Sequence, residues 1–233
     1  MTWLPVIDDE LETKKLDIPK FANREASSEL SSDILLRFEK LGIKSLDINK
    51  LDIACIDEML HGIEEVYKAI PELNGTINTI KKIKSGGISV LPSNDFKTFT
   101  LNIDEVMFSD YEVTSNRIKK LIILGMVSKG TTIKTSVYHE AGHMLEAQYI
   151  DLFYNKKDKE SAWNECLAAE TTLKQASKTC YNDSGKYNVI LQEISQYATT
   201  TAIEGLAECV QAELSNFGNK FTKQVLHVLR RLK

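Results

Sequence analysis

Residues 139–143 read His139-Glu140-Ala141-Gly142-His143, and they sit inside an apolar run that includes Val137, Tyr138, Met144 and Leu145. That run reads as a helix, and a helix with such flanks packs into an interior. On a helix, positions i and i+4 are about 40° apart around the axis and one turn along it, so both imidazoles face the same way. Burying two imidazoles and a carboxylate without partners is costly. Whatever this chain folds into must therefore bring something to that face.

One solution is a divalent metal ion, since two histidines at this spacing can reach a single ion while Glu140, turned to one side, stands beside it as a base. A third protein ligand is then required. Tyr149 and Glu146 occupy the positions where a third histidine and a glycine would follow in a metzincin, which excludes that class. His61 and His227 lie in unpromising contexts, so a carboxylate is expected. The downstream candidates are Asp151, Glu160, Glu165, Glu170, Glu193, Glu204, Glu208 and Glu213. Glu204 and Glu208 stand out, again four apart, among Ala202, Ile203, Leu206, Ala207 and Val210. Two carboxylates on one apolar face repel unless something positive lies near. A metal held by one of them, with a histidine N–H donated to the other, resolves this; spacing alone leaves open which does which.

The rest of the chain sets the frame. Its 233 residues suffice for one large domain, and 42% hydrophobic with 27% charged residues is ordinary for a globular protein. A net charge of -4 offers no electrostatic reason to bind nucleic acid or an anionic membrane surface, so neither is expected as a partner. No apolar run is long enough to span a bilayer, and the acidic start, broken by Pro5, does not read as a secretory signal; the expectation is a cytoplasmic chain. Cys55, Cys166, Cys180 and Cys209 form no close pair and are expected as reduced, mostly buried thiols.

Residues 1–25 read as an N-terminal tether and 26–233 as the folded domain. Ser27 or Ser28 is expected to cap a first helix that Gly42 stops, and a second helix runs up to Pro71. "INTIKKI", "GISVLP" and "KTFTLNIDEVMF" read as strands, with Gly86-Gly87 as a turn. Residues 115–136 are mixed, with a loop around Ser128. Helices follow at roughly 135–153, 160–179, 187–195, 201–215 and 219–232. Helices and a small sheet segregated along the chain argue an α+β fold. Asp104 and Glu105 are expected as surface charges, Trp163 as core, and His227 as structural or exposed. The alternating "TFTLNI" is expected at a sheet edge, where an extended peptide could add.

"HEAGH" followed downstream by Tyr197-x6-Glu204-x2-Ala207-Glu208 resembles the catalytic domain of anthrax-lethal-factor-type zincins, a group that includes the Pro-Pro endopeptidases and zincin-like domains of phage and mobile-element proteins. "GMVSKGTT" and "SLDINKLD…VYKAIPELNGTINTI" extend the resemblance to roughly residues 45–233. Ala141 stands where lethal factor has an aromatic residue, a departure that bears on packing more than on chemistry. The resemblance implies a zincin-like metallopeptidase fold with Zn2+ held by His139, His143 and Glu204. It makes Glu140 the general base, Tyr197 a hydroxyl donor to the oxyanion, and Glu208 the residue that orients a ligand histidine. The implied activity is a zinc-dependent endopeptidase acting on a protein or peptide substrate with a zinc-activated water, associated with a phage or mobile element. The alternatives are a non-catalytic structural or assembly module of such an element, or an effector protease acting on a host protein. Oligomeric state and substrate sequence are not legible in these motifs.

Overall fold

The computed structural model describes residues 32–230, so the expected tether and the Ser27/Ser28 cap lie outside the described residues. The elements are α1 (Ser32–Lys40), β1 (Ser45–Leu46), α2 (Ile53–Ala69), β2 (Ile77–Ile83), β3 (Ile88–Pro92), β4 (Phe99–Asp104), α3 (Tyr111–Ile123), α4 (Ile133–Phe153), α5 (Lys159–Asn164), α6 (Leu167–Tyr181), α7 (Tyr187–Ile194), α8 (Ala202–Leu214) and α9 (Lys220–Arg230), with 3-10 turns at Pro71–Leu73 and Tyr197–Thr199. This is an α+β chain with a small mixed sheet.

Local chemistry explains most boundaries. Asp52 begins α2: one carboxylate oxygen accepts from Ala54 N–H at 2.8 Å and the other from Tyr111 N–H at 3.0 Å, which ties the starts of α2 and α3 together. Pro71 closes α2 as expected. Thr132 and Thr135 cap α4 reciprocally. Residues 160–179, expected as one helix, form two. The backbone turns left-handed at Cys166 (φ 55°), so α5 ends and α6 starts in a new direction. The mixed stretch from residue 115 belongs partly to α3, whose inner face is Thr114, Ile118 and Leu121.

The sheet order is β1-β2-β4-β3, with β1, β2 and β4 parallel and β3 antiparallel on β4. The expectation for "TFTLNI" is thereby corrected: this segment is the interior strand β4, and β3 is the edge. Its alternation misleads because the polar positions towards the end of the strand are also buried. Asn102 is 6% exposed and Asp104 8%. Asp104 is no surface charge, since its carboxylate accepts from the N–H groups of Gly86, Gly87, Val106 and Met107, holding the β2–β3 turn against the end of β4. Glu105 is the partly exposed one, 3.7 Å from Lys82.

α4 lies at the centre of the packing. It is buried almost all round from Ile133 to Ala147, between α2 on one side, α8 on another and β3 along its length. A Cβ on Gly62 of α2 would lie 2.4 Å from the Lys134 carbonyl oxygen, so α2 can cross α4 this closely only with glycine there. Cys55 and Cys209 are buried and Cys166 and Cys180 half-buried; all four thiols are free. No helix among the described residues is long and apolar enough to cross a membrane.

Candidate metal centre

His139 and His143 project from the same face of α4 towards α8, with ring centroids 4.9 Å apart. Their Nε2 atoms are separated by 3.2 Å. Thr201 caps α8 through the Glu204 N–H at 3.3 Å and sets where the first turn of that helix presents its side chains. Glu204 Oε2 lies 3.0 Å from His139 Nε2 and 3.6 Å from His143 Nε2. All three residues are buried, and among the described residues they are the group whose ligand atoms could hold a metal ion.

The spacing of those atoms tests the fit. A tetrahedral ion with ligand bonds of about 2.0–2.1 Å has ligand–ligand edges of about 3.3 Å. The three separations here, 3.2, 3.0 and 3.6 Å, bracket that length. Two imidazoles and a carboxylate suit zinc and several other first-row divalent ions. The site can thus hold a metal, and its donor set does not single one out.

Glu208, one turn after Glu204, is fully buried and faces the other edge of the His139 ring. Its Oε1 is 3.2 Å from His139 Nδ1, while its Oε2 accepts from Ser128 N–H at 3.2 Å and from the Ser195 hydroxyl at 2.7 Å. A carboxylate at Nδ1 keeps a proton on that nitrogen and directs Nε2 towards the ligand cluster. Which carboxylate lies among the ligand atoms is therefore decided by position: Glu204 faces both Nε2 atoms, and Glu208 stands behind one ring.

Glu140 points along β3. Its Oε2 accepts the Val90 N–H at 2.8 Å, and its Oε1, also buried, has no hydrogen-bond partner in the protein. Tyr197 stands on the 3-10 turn before α8, its ring centroid 5.8 Å from that of His139. Its N–H is donated to the Met126 carbonyl at 3.0 Å. The resemblance-based residues are thus brought together in one place: His139, Glu140, His143, Tyr197, Glu204 and Glu208.

The electrostatics follow from burial and proximity. Burial disfavours the His139 imidazolium, but hydrogen bonds to Glu204 and Glu208 outweigh it and push this group up to about 9. Burial acts against the Glu204 carboxylate too, yet hydrogen bonds with His139 and His143 hold it well below the usual range. Glu140 is raised, chiefly by burial. The Tyr197 phenol is raised strongly by burial and then by the surrounding carboxylates, with a hydrogen bond to Glu204 among the causes. It stays protonated at any ordinary pH.

A cleft of about 260 Å³ opens onto this cluster, bordered by Ile88–Leu91 of β3 on one side and by Trp163, Asn164 and Ile203 on another, with Glu140, His143 and Glu204 in its floor. Trp163, expected as core, is only half-buried; it meets Phe96 edge-on at 6.0 Å and lines this cleft. His61 and His227 are exposed. Several of the other carboxylates considered as third ligands have partners elsewhere: Asp151 with Lys159, Glu165 with Ser161, Glu170 with Lys174 and Glu213 with Thr222. Ser195 and Val90 carried no signal in the sequence. Their roles arise from a hydroxyl and a main-chain N–H that only the fold places. No protein-family model, curated protein or solved structure matches the chain.

Proposed function

We propose that the chain is a zinc-dependent endopeptidase with a zincin-like site. The observation that carries this reading is the convergence of His139, His143 and Glu204 in the floor of an open cleft, beside a buried Glu140 oxygen that no other group occupies. Zinc bound there would supply a Lewis acid that makes water a nucleophile at neutral pH and polarises a carbonyl.

The chain's own residues supply the rest. Glu140 is anchored through Oε2 on the Val90 N–H, which leaves Oε1 to take a proton from the attacking water and deliver it to the leaving amine. Its raised proton affinity, caused by burial, suits both halves of that task. Tyr197, protonated and next to the ligand cluster, donates a hydrogen bond to the oxygen on which negative charge develops. Glu208 orients His139.

A polypeptide substrate is favoured by the edge strand. Asp104 N–H bonds to Gly87 O and Ser93 N–H to Thr98 O across the β3–β4 pair. The antiparallel alternation then turns Ser89 and Leu91 towards β4, and the main-chain groups of Ile88 and the Val90 carbonyl outward along the cleft, the Val90 N–H being taken by Glu140. Such outward groups add an extended peptide as a further strand. A phage or mobile-element setting rests on the motif resemblance.

The test is digestion of a peptide library by zinc-loaded protein, wild type beside Glu140→Gln. Cleavage by the wild type, lowered by about 10²–10⁴-fold in a Glu140→Gln protein that keeps its zinc, is expected. A zinc-loaded wild type that cuts nothing would leave the structural-module reading.

A further inference from the structure

Ser195, at the C-terminal end of α7, is 4% exposed, and its hydroxyl makes two hydrogen bonds of different kinds. Its hydroxyl donates to Glu208 Oε2 at 2.7 Å and accepts from the Ala198 N–H at 3.0 Å. The first reaches the carboxylate behind His139. The second reaches the 3-10 turn that carries Tyr197. We propose that Ser195 is a positioning residue of this site, joining through one hydroxyl the carboxylate that orients His139 to the turn that holds Tyr197. The inference rests on the metal-centre reading above.

A serine that only capped the turn would need to accept from Ala198 and nothing more. Here its single proton is committed to a buried carboxylate that already accepts from Ser128 N–H. Two donors on Oε2 leave Oε1 as the oxygen that faces His139, so the carboxylate cannot swing round and present its other edge. The direction of the hydroxyl is fixed in turn, which aims its lone pair at Ala198. Neighbouring main-chain bonds lace the same two segments: Gln196 N–H to Gly125 O at 2.9 Å and Tyr197 N–H to Met126 O at 3.0 Å. Residues 125–128, just before α4, and residues 195–198, just before α8, therefore close around Glu208 as one unit. Ser195 is its side-chain link.

The experiment measures Zn2+ affinity by competition with a chromophoric chelator, for wild type, Ser195→Ala and Ser195→Thr, and for Ser195→Ala in a Glu208→Gln background. Ser195→Ala should weaken zinc binding about tenfold, and Ser195→Thr, which keeps the hydroxyl on an extended backbone, should restore it. In the Glu208→Gln background the alanine change should have little further effect, because the path to His139 is already altered. Ser195→Cys, similar in size but a weak donor, gives the same comparison if the alanine variant does not fold. In metal-free protein, the His139 Nδ1 proton should be a downfield, slowly exchanging NMR signal that Ser195→Ala broadens or shifts. Unchanged zinc affinity with only a lower melting temperature would overturn the proposal, as would equal effects in both backgrounds. If the wild type binds no zinc, the metal reading fails, and the Nδ1 proton alone decides whether Ser195 orients His139 through Glu208.

Discussion

Gly142 of α4 lies against Ala207 of α8 so closely that a Cβ on the glycine would sit 2.6 Å from the Ala207 Cα and 3.1 Å from its Cβ. The two helices that carry the candidate ligands touch backbone to backbone at the level of the ligands themselves. Gly142 immediately precedes His143, and Ala207 immediately precedes Glu208. Any side chain at 142 pushes α8 away and lengthens the His–Glu204 separations. Gly142→Ala should cost about 1–3 kcal/mol by overpacking and weaken zinc binding as well. Thermal melting and chelator competition on the same variant check this. A normal zinc affinity would show that the crossing does not set the ligand distances.

Ligand and supporting carboxylate should separate on metal analysis. Glu204 faces both Nε2 atoms, so Glu204→Gln should leave the purified protein without stoichiometric zinc. Glu208→Gln should retain zinc with an affinity lowered about 10–100-fold, as for other outer partners of metal-bound histidines. The reverse outcome would reassign the two.

Val90 contributes a main-chain N–H on the outward side of the edge strand, where proline is tolerated. Val90→Pro removes the donor to Glu140 Oε2 without removing a β3–β4 bond. Zinc content should be unchanged, while kcat on a peptide should fall about tenfold as Glu140 loses its anchor. Full turnover by this variant would dismiss the role assigned to the edge.

Glu146 is fully buried one turn beyond His143; its Oε1 accepts the Ala169 N–H at 3.0 Å and its Oε2 has no partner. Burial pushes this carboxyl up to about 8 from an ordinary 4.5. Between those values the folded chain holds a proton that the unfolded chain has released. Stability contributed by the neutral form is therefore complete below the unfolded value and is lost as pH rises towards 8, levelling off above it. The loss is on the order of a few kcal/mol. Glu146→Gln, which mimics the neutral acid, should be markedly less sensitive to pH between 5 and 8.5 in chemical denaturation. Parallel curves for the two proteins would show that Glu146 is ionised or hydrated in the fold.

His139, His143, Glu204 and Glu208 were legible because their spacing is helical, whereas Tyr197 entered only through the resemblance. Two histidines and two glutamates, each pair four apart in apolar company, announce a shared face whatever lies opposite. The strand segments and the end of α2 were legible for the same reason, since apolar period and Pro71 act locally. Asp104 was not. An acid after an alternating strand reads as surface until the turn carrying Gly86 and Gly87 folds back over it. The position of β4 was hidden too, because strand order depends on pairing between distant segments and leaves no mark on one strand's own period. The bend at Cys166 escaped because nothing in its residue type announces a left-handed backbone.

Residue order alone puts His139, His143, Glu204 and Glu208 on apolar helix faces, since 3.6-residue periodicity and the cost of burying unpaired polar groups are properties of the local chain. It takes long-range packing to make the two faces meet, to set Glu204 among the candidate ligand atoms with Glu208 behind His139, and to bring Ser128, Ser195 and Val90 to the carboxylates they hold. Those relations turn on separations of a few tenths of an ångström between segments far apart in the chain. Such separations are set by how closely α4 and α8 can pack, and no one segment specifies that distance alone.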